Sequence, residues 1–143
     1  MPTTWTVLAD KAAAALRDAQ TRVNEARQQV EKLEAGVAHI DRLRDDYVAR
    51  YNETQKAAHS IADNITYRKF LEHLRGLRLR IDGQLQDANL QLASEKAALA
   101  QAQRELAKME AMVERDEREK RAQAAKREQR ALDEAGLRLF NQR

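Results

Sequence analysis

The chain has 143 residues and a mean hydropathy of −0.79; 43% of it is apolar, but 26 residues are Ala and only 28 are Leu, Ile, Val or Phe. That is too little bulk to fill a globular core or enclose a small-molecule pocket. Its 26 basic and 23 acidic residues are finely interspersed for a net charge of +3, and it has no cysteine; this excludes the one-sided basic surface of a nucleic-acid binder, disulfide frameworks and thiolate chemistry.

What remains favours long helices. Ala, Glu, Lys, Leu and Arg supply 81 residues, Pro2 is the single proline, and there are four glycines. Almost nothing interrupts a helix after residue 3. The N-terminus has no basic stretch followed by an apolar core, and no apolar run approaches the roughly 20 residues that span a membrane. The expectation is a cytoplasmic protein with no direct membrane insertion and no nucleic-acid partner.

In chain order, the first element is a helix over about residues 5–57. Taken at steps of four and three, Trp5, Ala9, Ala12, Leu16, Ala19, Val23, Ala26, Val30, Leu33, Val37, Ile40, Arg44, Tyr47 and Tyr51 form one stripe, with Arg44 its only charged member. The 3.5-residue average keeps that stripe against a partner helix in a left-handed supercoil. A turn is predicted near residue 59, where Ser60 is placed to cap a new helix and Asp63 lies near its positive end.

The second helix, about 61–113, carries Tyr67, Phe70, Leu74, Leu77, Ile81, Leu85, Ala88, Leu92, Glu95, Leu99, Ala102, Leu106, Met109 and Val113. One extra step of four, between Ile81 and Leu85, is a stutter that locally unwinds the supercoil. The two stripes are equal in length, and residue numbers paired across the turn add to the same total at both ends. An antiparallel hairpin requires that relation. The predicted fold is therefore all-α: a long antiparallel two-helix coiled-coil hairpin, residues 1–113, with a protruding charged helical extension, 114–143.

Bulk concentrates toward the turn in Tyr47, Tyr51, Tyr67 and Phe70, while alanine dominates the other end. Alanine permits close approach but buries little area, so the base should be the weaker part. Gly36 and Gly83 fall at nearly the same level beside the stutter, either as a soft point or as tolerated surface glycines. In the extension, Glu114 to Arg130 holds twelve charged residues and nothing apolar larger than Ala. Leu132, Ala135 and Leu139 then share a face again, and an apolar patch without an internal partner points to an external one.

Residues that could carry catalysis are absent. His39, His59 and His73 are scattered, with no i, i+4 pair to hold a metal. Asp45 and Asp46 are neighbours on an exposed helix with no apolar pocket around them. The glycines stand singly, so no phosphate-cradling loop exists. The expectation is no enzyme, no cofactor and no metal.

Two apical features point to binding. Arg68, Lys69, Arg75, Arg78 and Arg80 form the one basic concentration, suited to an acidic partner or to Asp41, Asp45 and Asp46 across the hairpin. Leu43, Val48, Leu71 and Leu79 lie off the stripes, either as a docking cluster with Tyr47 and Phe70 or as a broadened core.

Two segments resemble a known family. Ile65-Thr66-Tyr67-Arg68-Lys69-Phe70-Leu71-Glu72-His73-Leu74 is similar to the aromatic-aromatic-leucine segment just past the turn of FliJ-type flagellar export proteins. Lys126-Arg127-Glu128-Gln129-Arg130-Ala131-Leu132-Asp133-Glu134 resembles their basic, glutamine-containing C-terminal segment. The resemblance implies a component of the flagellar type III export apparatus, needed for flagellar assembly and motility. Such a protein would be cytoplasmic and peripherally associated with the inner membrane through that apparatus.

By the same resemblance the partners would be the flagellar export ATPase ring, the cytoplasmic domain of the membrane export gate, and export chaperones. The gate surface would comprise Ile40, Leu43, Tyr47, Phe70, Leu74, Leu77 and Ile81. The ring surface would comprise Leu8, Leu16, Leu106, Met109, Val113, Leu132 and Leu139. Alternatives are the stalk protein of a virulence-type injection system and a homo-oligomeric coiled-coil scaffold or tether.

Overall fold

The computed structural model describes residues 3–54 and 61–142. These form two helices, α1 (Thr4–Thr54) and α2 (Ile61–Asn141), packed as an all-α helical hairpin. The predicted turn, with His59 and the Ser60 cap, lies outside the described residues.

The start of α1 is written in three threonines. The Thr6 backbone N–H donates to Thr3 Oγ1 at 3.3 Å, and Thr6 Oγ1 donates back to the Thr3 carbonyl at 2.7 Å. One of the unsatisfied amides of the first turn is thus capped by a side chain. Asp63 stands in the first turn of α2 and Arg138 in its last, each with the sign that complements the helix dipole.

Packing follows the predicted stripes. The buried apolar residues are Ala12, Ala19, Val23, Val30, Ile40 and Leu74, and all six are stripe positions. Every other stripe residue except Arg44 is partly shielded. No side chain is fully enclosed among the described residues, because a two-helix seam covers each apolar group from one side only. The stutter leaves α2 helical throughout, with Ile81 and Leu85 both half-buried.

The chain divides into two compact units: Met1–Asp18 with Ala100–Arg143, and Ala19–Leu99. In the first, Trp5, Leu8, Leu16, Leu106, Met109 and Val113 are half-buried, and from Glu117 to Gln142 every residue is exposed. This exposed stretch is helical to Asn141. Its ion pairs run along the helix at i, i+4: Glu114–Arg118 at 4.0 Å, Arg115–Glu119 at 3.4 Å and Asp116–Lys120 at 3.6 Å. Each is worth a few tenths of a kcal/mol and all three lie within residues 114–120, so beyond them intrinsic propensity is the main support of a segment without tertiary burial.

Candidate partner-binding surfaces

Within residues 19–99, the end near the turn is built on stacked rings. Tyr51 and Tyr67 lie with centroids 3.6 Å apart and planes 8° from parallel, and Tyr47 stacks on Tyr67 at 5.3 Å. Phe70 tilts against Tyr47 at 4.2 Å. Tyr51 Oη donates a hydrogen bond to Asn64 Oδ1, so the phenol joins the two helices as well as its ring. Four aromatics at successive stripe positions alternate across the seam; Tyr47 is offset from Tyr67 and tilted against Phe70 as ring quadrupoles favour, whereas Tyr51 and Tyr67 lie nearly face to face. All four remain only half-buried.

Beside them an apolar groove of about 340 Å³ opens along one flank of the seam. Ile40, Val48, Leu71, Leu74 and Leu79 supply its apolar lining, and Asp41, Arg44, Arg75, Arg78 and Asp82 its charged rim. At that rim Arg78 Nε lies 2.8 Å from Asp41 Oδ1. Both atoms are withdrawn from solvent and make no hydrogen bond of good geometry, so their mutual attraction is what offsets burial. Arg44 has its Nη1 3.8 Å from Asp41 and its Nη2 3.3 Å from Asp45.

The basic concentration is thus partly answered inside the hairpin, by Asp41 holding Arg78. Asp45 pairs instead with Arg44 on its own helix. Arg68, Lys69, Arg75 and Arg80 are exposed.

The positions transferred from the family divide by accessibility. Ile40 and Leu74 are buried, Tyr47, Phe70, Leu77 and Ile81 are half-buried, and Leu43 is exposed. Ile40 and Leu74 line the groove; Leu43 does not. At 100° per residue Leu43 falls on the opposite flank of the seam from Asp41 and Val48. The four off-stripe residues grouped by sequence therefore separate, with Val48, Leu71 and Leu79 on the groove side. The ring set separates likewise: Leu8, Leu16, Leu106, Met109 and Val113 are half-buried, whereas Leu132 and Leu139 are exposed beside Leu137 and Phe140.

Among the described residues no group of three His, Asp or Glu is arranged to hold a metal ion, and no helix is long and apolar enough to cross a membrane. Open grooves, half-covered aromatics and an exposed helical segment characterise this coiled-coil protein. The family model for the flagellar FliJ protein matches residues 5–143, and the chain belongs to that family. It is accordingly a coiled-coil protein associated with flagellar export. No curated protein and no solved structure matches it.

Proposed function

We propose that the chain is a non-enzymatic connector of the flagellar type III export apparatus. In this reading the unit formed by residues 1–18 and 100–143 binds the export ATPase ring, and residues 19–99 bind the cytoplasmic domain of the membrane export gate. Export chaperones are further partners. The protein would act in the cytoplasm, held at the inner membrane by the apparatus rather than by insertion.

The observation that carries this reading is the half-exposed aromatic cluster of Tyr47, Tyr67 and Phe70 beside an apolar groove. A two-helix seam leaves these large side chains accessible, and partly covered aromatics are the anchors that interfaces favour. The exposed Leu132, Leu137, Leu139 and Phe140 support a second contact in the other unit. The match to the flagellar family favours export-apparatus partners over those of a virulence-type injection system.

Coupling between ring and gate would require each partner to bind differently in two states of the other. Turnover by the purified export ATPase, measured across ATPase concentrations, tests the ring half. Stimulation by this protein should shrink as the ATPase becomes concentrated enough to assemble alone; no stimulation and no co-sedimentation would remove the ring from the proposal. For the gate half, Phe70→Ala should weaken binding to the gate's cytoplasmic domain about tenfold while leaving helicity near wild type. Unchanged affinity would exclude Phe70 from the site.

A further inference from the structure

The face of α2 turned away from the seam carries a second, shorter stripe. Leu79 lies midway between the stripe residues Leu77 and Ile81, Leu90 between Ala88 and Leu92, and Ile65 two residues before Tyr67. With Ile61 they fall in a sector of about 40° on a helix advancing 100° per residue. Their exposures are 79% for Ile61, 49% for Ile65, 67% for Leu79 and 66% for Leu90, so no described residue covers them fully, although Leu79 also edges the groove. Gly83 lies in the same sector and Gly76 about 20° beyond its edge, and a Cβ at either would meet nothing within 4 Å. A bare helix backbone there leaves room for another helix to approach closely.

We infer that this face of α2 pairs with the same face of a second copy, antiparallel, about a two-fold axis between Gly76 and Leu79. The stripe is complementary to itself in that register. Leu79 of one copy seats over Gly76 of the other, filling the space that the missing side chain leaves, and Ile65 packs on Leu90. In an antiparallel two-fold pair, residues on one flank of a helix meet residues on the same flank of its mate. On one flank that sets Lys69 against Asp87, and on the other Arg75 against Asp82. Each contact occurs twice, and every one joins opposite charges.

None of these four charged groups takes part in an ion pair among the described residues. This self-complementarity selects a second copy over an unrelated amphipathic helix. The association is weak, because the exposed Glu72 falls inside the apolar sector between Ile65 and Leu79 and faces Gly83 of the other copy, where its charge costs desolvation.

The test uses the full chain, by light scattering and sedimentation over a wide concentration range. The mass should rise with concentration from 16.4 kDa toward twice that value. Leu79→Glu should weaken association at least about tenfold, since it would put an unpaired charge against the facing helix. Lys69→Asp and Asp87→Lys should each weaken it about threefold to thirtyfold, two exposed ion pairs being lost at once, and the double variant should recover most of that loss.

Circular dichroism of each variant checks the hairpin. Should Leu79→Glu lower helicity, the charge swap still decides, because it changes no apolar contact. A monomer at every concentration would overturn the proposal. So would a dimer indifferent to Leu79→Glu, or a double variant no better than its single parents. None of these outcomes depends on binding to the export ATPase or gate.

Discussion

Residues 19–99 and the unit made of residues 1–18 and 100–143 use the same helix-forming composition in different ways. The former holds Val23, Val30, Ile40 and Leu74 out of solvent and adds stacked aromatics and a shielded Asp41–Arg78 pair. The latter buries only Ala12 among the described residues and leaves its last two dozen exposed, with i, i+4 ion pairs confined to residues 114–120. The contrast shows how a continuous helix can change its source of stability along its length. Where a seam exists, apolar burial dominates; where it ends, intrinsic propensity and local pairing take over.

The comparison is sharpened most by the residue at its extreme. Leu74 is 3% exposed, and Leu74→Ala should destabilise the hairpin by about 3 kcal/mol, read as a shift in the urea midpoint. Tyr67→Ala removes two stacking partners and should cost about 2 kcal/mol by the same measurement. Smaller, and opposite in sign, is Gly36→Ala. A Cβ there would sit 3.7 Å from Ile81 Cδ1, an ordinary contact, so the gain in helix propensity should stabilise by about 1 kcal/mol.

The smallest effect belongs to the exposed segment. Leu132→Ala should change stability by less than about 0.5 kcal/mol, since Leu132 is 62% exposed. A loss of several kcal/mol there would mean that the segment is packed in solution and would break the comparison. Added salt should likewise lower helical content around residues 114–120 before it affects residues 19–54, because exposed ion pairs are screened and buried apolar contacts are not.

The hairpin was legible in the sequence because a heptad stripe encodes both which residues face inward and, through equal lengths about one turn, the direction of return. Glu95, polar yet on the stripe, is half-buried as its position requires. Arg44 departs from the rule: its long stem lets the guanidinium leave the seam for Asp41 at the groove rim and for Asp45 beside it in the chain. The candidate surfaces were less legible. Leu43, Val48, Leu71 and Leu79 are alike in sequence as apolar residues off the stripe, yet only the last three share the groove.

The physical reason lies in what each kind of information constrains. Periodicity along one chain determined the element types and the seam register, and two short segments carried the resemblance to the family. Side-chain placement between helices decided which rings stack, which aspartate holds Arg78, and which flank opens into a groove. Those outcomes depend on distances of a few ångströms between residues on different helices, and no local pattern in the chain sets them.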